Sequence, residues 1–209
     1  QQNAAHSIID YAVANDDAIN KAVADARAQV AEDGKVFDAE DTVILQQVAS
    51  GKTQSPTTLT RYQYNMDGSD AKTSSATAYV IPKDIPNAEK ILYILQNQGA
   101  EYYELEPGST AELKQYYYVG EYTYNEKKAG FTADLRDAAK VTFEKGAYVI
   151  PMDQVSGNVI AMIMEPDVND SNGYDGTLVQ YGVVSYDETT KNFPIYRYEG
   201  NDPRTTLVS

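Results

Sequence analysis

Five consecutive residues occur twice in this chain. Ala78-Tyr79-Val80-Ile81-Pro82 returns 69 residues later as Ala147-Tyr148-Val149-Ile150-Pro151. At the same spacing Asp84 falls on Asp153, Ile91 on Ile160, Ile94 on Ile163 and Leu95 on Met164. A short β-branched and aromatic run closed by proline reads as a strand, because proline has no N–H to continue the ladder. Apolar residues three and four apart just downstream read as a helix. The chain therefore carries two copies of one unit: strand, Pro-terminated turn, acidic helix start, amphipathic helix. The copies span about 75–143 and 144–209. Units of this kind predict an α/β fold, with α+β as the alternative, in which helices lie against a mixed sheet.

A different pattern precedes the repeats. Ala5, Ile8, Ile9, Ala12 and Val13, then Ile19, Val23, Ala26 and Val30, form one helical stripe. Residues 1–34 are thus a helical segment, pinched where the side chains of Asn15-Asp16-Asp17 compete for backbone hydrogen bonds and stopped at Gly34. The stripe is alanine-rich, so packing rather than propensity must hold it. Residues 35–209 form the second unit. It is expected to contain strands at Thr42–Val48 and Thr57–Met66, a helix from Pro86 to Gln98, and a strand at Glu101–Leu105. Two tyrosine-laden strands, Gln115–Tyr124 and Phe131–Phe143, should flank a turn at Asn125–Gly130. Strands at Thr177–Val184 and Phe193–Tyr198 follow around a turn at 187–190, and the polar tail after Glu199 should fray.

Composition narrows the function. A net charge of −14 repels phosphate backbones and anionic headgroups, so nucleic acid is not an expected partner. No apolar run reaches the length of a membrane span. Without cysteine there are no disulfides and no thiol nucleophile, and with His6 as the one histidine no site can use two imidazoles. His6 also fails the metallopeptidase helix motif, since Ser7 follows it and Ile9 stands where a His-x-x-Glu glutamate would be. It reads as a surface or interface residue.

Three constellations remain. Asp84 and Asp153 hold equivalent places between strand and helix, where a carboxylate can cap the helix or share acid–base work with a partner; capping explains both copies at once. Asp167, Asn169, Asp170, Asn172 and Asp175 crowd a segment at 167–176 that offers calcium hard oxygen ligands, although its register is not that of an EF-hand and a plain turn uses the same residues. Tyrosine is in excess, with 18 residues. Tyr102, Tyr103, Tyr116, Tyr117, Tyr118, Tyr122 and Tyr124 crowd one region, as a surface for sugar or peptide or simply as sheet formers. No phosphate loop, dinucleotide motif or nucleophile elbow is present. The residues assign no catalytic or metal-ligating position.

AYVIPKD (78–84), GAYVIPMDQ (146–154), GTLVQYGVV (176–184) and FPIYRYE (193–199) together resemble the C-terminal region of bacterial carboxypeptidase A-type zinc metallopeptidases. AAHSIIDYAVANDDAI (4–19) resembles the last helix of the peptidase domain in that family. The resemblance implies a parent that removes C-terminal residues from peptides, bacterial and exported to the cell surface or medium, with zinc in a catalytic domain outside these residues. No zinc ligand or general base of the family has a counterpart here, so no cofactor is expected in this chain. It would be a non-catalytic accessory module whose partner is its own catalytic domain. The opening Gln1-Gln2-Asn3, with no Met and no signal peptide, agrees with a segment of a longer polypeptide. The alternative is a free-standing extracellular module binding cell-wall glycan or peptide through its tyrosines. An enzyme built on Asp84 and Asp153 is a third reading.

Overall fold

The computed structural model describes residues 2–38, 46–49, 56–59, 76–124, 127–166 and 177–207. The N-terminal stripe folds as α1 (Gln2–Ala14) and α2 (Asp16–Asp33), which continue one another across Asn15. The Asn15 side-chain amide donates to the Tyr11 carbonyl at 2.8 Å, in competition with its own backbone N–H at 3.0 Å. That competition is the expected pinch. Gly34 ends α2, but its φ of −69° is ordinary right-handed backbone. Glycine is required there for a different reason: a Cβ would overlap the Met152 carbonyl. The last turn of α2 is thereby pressed onto the body of the molecule. Asp202 N reinforces the join by donating to Lys35 O at 2.9 Å.

Strands β1 (Gln46–Ala49) and β2 (Pro56–Leu59) pair antiparallel as a separate two-stranded sheet; the rest of the strands expected around them lies outside the described residues. The repeat begins with β3 (Ala78–Pro82) and α3 (Ala88–Asn97), then β4 (Tyr103–Leu105). A long hairpin comes next, β5 (Ser109–Tyr124) and β6 (Lys127–Phe143), whose strands reach further than the sequence suggests, β6 starting inside the expected turn. The second copy supplies β7 (Ala147–Pro151) and α4 (Gly157–Met164). The chain closes with α5 (Thr177–Gln180), β8 (Asn192–Tyr198) and α6 (Pro203–Thr206). Six strands form one sheet in the order β4-β7-β3-β8-β5-β6, with helices packed on it, a mixed α/β fold.

The two copies of AYVIP pair with each other. Tyr79 faces Ile150, Val80 faces Val149 and Ile81 faces Tyr148, antiparallel, so a local two-fold axis passes between Val80 and Val149. Hydrogen bonds outside the strands obey it too: Lys83 N donates to Gly146 O at 3.1 Å and Met152 N to Thr77 O at 2.8 Å. The flanking strands complete the pattern. Tyr103 of β4 stands opposite Val149, and Tyr196 of β8 stands opposite Val80. This symmetry explains why β3 and β7 run antiparallel, since a two-fold relating adjacent copies of a strand must reverse its direction; the other described pairings are antiparallel too, so the expected mixed sheet is not what forms.

Both faces of the paired strands are buried, which accounts for an unbroken apolar run in place of alternation. Tyr79, Ile81 and Ile150 face α3, α4 and α5 in the main core, with Ile91, Leu95, Ile160 and Met164 from the helices. Ala78, Val80, Ala147 and Val149 face a second, smaller cluster closed by Leu113, Phe143 and Leu207.

Two further expectations fail. Thr177–Gln180 is one helical turn, not a strand, because Thr177 Oγ1 donates to Met162 O, Leu178 is buried, and Gly182 at φ +63° reverses the chain so that Val183 N and Val184 N return to Leu178 O. The tail does not fray at once: α6 docks through buried Pro203 and Leu207, and Arg204 ion-pairs with the body.

Candidate functional site

The most polar part of the interior lies under α4. Arg197, on β8, occupies the same inward register as Phe193 and Ile195, and its side chain is 2% exposed. Its Nη1 lies 3.1 Å from Glu165 Oε1 and donates to Tyr116 Oη at 2.5 Å, while Tyr79 Oη donates to the same Glu165 Oε1 at 2.5 Å. Arg197 Nη2 reaches Glu199, which Lys114 also pairs. Burial drives the Tyr116 phenol well above its ordinary range, with the Arg197 charge opposing and Glu165 adding to the rise. Here each carboxylate has a cation and each phenol a partner, so the network ties β3, β5, β8 and the end of α4 together. It is a structural network. Its one signal in the sequence is a charge in the inward register of an apolar strand, which periodicity alone does not distinguish from a strand edge turning outward.

Asp84 and Asp153 are not a pair. The two-fold holds them apart, one in each copy, so they form no shared acid–base site. Neither is an N-cap: that position belongs to Asn87 in α3 and Ser156 in α4, and neither makes a side-chain capping bond. Each aspartate instead belongs with the tyrosine of the neighbouring flanking strand. Asp153 and Tyr103 share one site, into which α6 inserts. Arg204 Nε donates to both Asp153 carboxylate oxygens at 2.8 Å, its Nη2 donates to Glu101 Oε2 at 3.2 Å, and Tyr103 Oη donates to Pro203 O at 2.7 Å. Buried Gln154 holds this corner by accepting from Glu101 N at 2.7 Å and donating to Pro151 O at 2.6 Å. Burial raises the Tyr103 phenol, opposed by Arg204 and assisted by the Asp153 charge.

Asp84 and Tyr196 line the equivalent site, and there the surface opens into a cleft of about 330 Å³ with Gln115, Phe143, Glu144 and Asn192 on its walls. Burial raises the Tyr196 phenol; a hydrogen bond with Gln115 opposes the rise and the Asp84 charge adds to it. The Asp187 carboxylate borders the cleft but is engaged in its own turn, accepting from Thr190 N, Thr190 Oγ1 and Thr189 N.

The tyrosine cluster is largely consumed by packing. Tyr116 is buried in the arginine network, Tyr118 packs edge-on against Phe131, Tyr102 meets Tyr148 edge-on, and Arg136 covers the Tyr117 ring. Nothing is described of the Tyr122 and Tyr124 side chains. Among the described residues the most exposed tyrosines are elsewhere, Tyr11, Tyr93 and Tyr181. The calcium candidates, Asp167 to Asp175, lie outside the described residues. Among the described residues no three His, Asp or Glu side chains gather as a metal site, and no helix is long and apolar enough to cross a membrane.

A second candidate surface is the N-terminal helix pair. His6 is exposed there, and so are Ile8, Ile9, Tyr11, Val13, Ile19 and Val23, at 40 to 74%. α2 buries none of its residues. No family model, no curated protein and no solved structure matches the chain.

Proposed function

We propose that this chain is a non-catalytic accessory module that docks, through the apolar face of α1 and α2, on a catalytic domain of the same polypeptide. That domain is a zinc carboxypeptidase of the exported bacterial kind, as the resemblance of the quoted segments implies. Zinc belongs to the partner domain, and the activity served is removal of C-terminal residues from peptides.

The observation that carries the docking reading is the row Ile8, Ile9, Val13, Ile19 and Val23 exposed on helices that bury none of their described residues, with Gly34 at the end of α2 set against the Met152 carbonyl. Helices are held mainly by packing of an amphipathic face, not by propensity. Covering these side chains contributes at most on the order of 8–15 kcal/mol before the costs of docking are subtracted. A second copy of this chain is a poor cover, because each copy brings a net charge of −14.

The test is to isolate the polypeptide that carries this segment from its source. The expected result is a mass well above 23.0 kDa and release of C-terminal residues that a zinc chelator abolishes. In that polypeptide, Ile8→Ser, Val13→Ser, Ile19→Ser and Val23→Ser together should expose α1 and α2 to rapid proteolysis. A native mass near 23.0 kDa overturns the reading, and so does a helix pair whose cleavage the four changes do not accelerate.

A further inference from the structure

We infer that the Asp84–Tyr196 cleft is a binding site for a guanidinium group, the side chain of an arginine presented by a peptide or protein partner. The inference is independent of docking through α1 and α2, since it concerns a different surface.

The local two-fold supplies the ligand chemistry. Strands β3 and β7 are copies paired about Val80 and Val149, and the groups just beyond them are placed twice. In one copy Asp153 and Tyr103 surround a guanidinium, that of Arg204, with Nε donating to both carboxylate oxygens at 2.8 Å. In the other copy Asp84 and Tyr196 occupy the same places, with Tyr196 opposite Val80 as Tyr103 is opposite Val149. Both phenols are raised by burial and by the charge of their own aspartate, so each carboxylate acts on the ring beside it. The copies diverge beyond the flanking strands. After β8 the chain runs on into α6 and delivers Arg204 to the Asp153 corner; among the described residues no equivalent arm reaches Asp84, and the surface there is an open cleft.

The walls of the cleft fit the same class of ligand. The charged residues lining it, Asp84, Glu144 and Asp187, are all acidic. Phe143, Tyr196 and two prolines, Pro82 and Pro194, supply the flat apolar contact that the stem and planar head of arginine use. Asn192 adds an acceptor: its Oδ1 is buried and accepts no hydrogen bond from the described residues. About 330 Å³ admits one such side chain and the backbone atoms around it. A carboxylate facing a planar donor fork prefers guanidinium to ammonium, because only the former can make two parallel bonds.

The experiment uses the whole chain and three small probes: Nα-acetylarginine methylamide, its neutral isostere made from citrulline, and the lysine counterpart. Binding is followed by NMR shifts of assigned resonances. The arginine probe is expected to saturate shifts at Asp84, Gln115 and Tyr196. The citrulline probe should bind at least tenfold more weakly, and the lysine probe measurably less well. Asp84→Asn, at an exposed position, should cut arginine affinity at least tenfold while leaving the spectrum of the core unchanged. Arg204→Ala should add a second site at Asp153 and Tyr103, raising the stoichiometry from one to two. Equal binding of citrulline, or an affinity indifferent to Asp84→Asn, overturns the inference. Equal binding of lysine overturns the guanidinium assignment.

Discussion

Arg197→Met removes the cation at the centre of the buried network and leaves a side chain of similar length in its place. The loss is set by what stays behind. Glu165, itself 1% exposed, loses the guanidinium at 3.1 Å and is left with the neutral hydroxyls of Tyr79 and Tyr116; Tyr116 loses its donor as well. Removing one partner of a buried ion pair costs about 3–5 kcal/mol, because the abandoned charge remains desolvated. For a domain of this size the melting temperature should fall by about 6–20 °C. The double variant Arg197→Met with Glu165→Met removes both charges and should regain most of that loss, since an apolar pair of similar volume often matches a buried ion pair. The assay is thermal and urea unfolding of both single variants, the double variant and the parent chain, closed as a double-mutant cycle. Glu199 keeps Lys114 throughout, so the cycle isolates the inner pair. The reasoning is refuted if Arg197→Met melts within about 2 °C of the parent, below the shift that 1 kcal/mol produces. It is equally refuted if the double variant is no more stable than the worse single one.

Three further outcomes concern other parts of the molecule. Gly34→Ala keeps an allowed φ yet drives a Cβ into the Met152 carbonyl, so it should cost about 1–3 kcal/mol and speed amide exchange in the last turn of α2; unchanged exchange would show that the approach is loose. The Tyr148 phenol is pushed up to about 12, first by its hydrogen bond to Glu89 and then by burial. A phenol raised on folding contributes stability that is whole below its ordinary value of about 10 and is lost as pH rises toward its folded value. Tyr148→Phe should therefore flatten the stability curve between pH 10 and 12, as read by urea unfolding across that window. Bonds from Thr190 N and Oγ1 hold the Asp187 carboxyl below the usual range. Its contribution is whole above the ordinary value of about 3.9 and disappears as pH falls through the lower folded value, so Thr190 amide protection should drop on acidification in the parent and be pH-independent in Asp187→Ala.

The repeat made the centre of the sheet legible. Its five-residue identity and its apolar spacing gave β3, β7, α3 and α4 in the right places, and Asn15 gave the break between α1 and α2. What the repeat could not reveal was the relation between the copies. Two identical strands can lie side by side in either direction, and only the register of Val80 opposite Val149 shows a two-fold. Once that axis is known, Asp84 and Asp153 have to be apart, which a linear reading of a carboxylate pair could not tell. The strand expected at Thr177–Val184 failed because its β-branched residues are outweighed by a local reversal at Gly182 and by burial of Leu178 against the helices. The fraying tail failed for a related reason: one proline, one leucine and one arginine suffice when each meets a specific partner, and composition does not record partners. Arg197 was visible in principle, since Phe193, Ile195 and Arg197 share one face of β8.

Cations are the scarce resource of this chain, 17 against 31 carboxylates, and their placement separates folding from recognition. Arg197 serves Glu165, Lys114 serves Glu199 and Arg204 serves Asp153, so each of these three carboxylates, all at most 13% exposed, has a cation. The acidic residues beside the apolar stripe of α1 and α2, including Asp10, Asp16 and Asp17, and those around the Asp84 cleft face solvent instead. A docking partner for either surface must therefore bring positive charge, and salt distinguishes the two classes of interaction. Raising ionic strength from about 0.01 M to about 1 M shortens the screening length from about 30 Å to about 3 Å. Exposed attraction is lost over that range, whereas a pair removed from solvent is screened far less. Arginine-probe binding to the cleft should accordingly weaken by an order of magnitude or more across the titration. The coupling energy of the Arg197–Glu165 cycle should stay nearly constant. A cleft affinity that salt does not move would mean that shape alone holds the probe and that the carboxylates play no part in recognition.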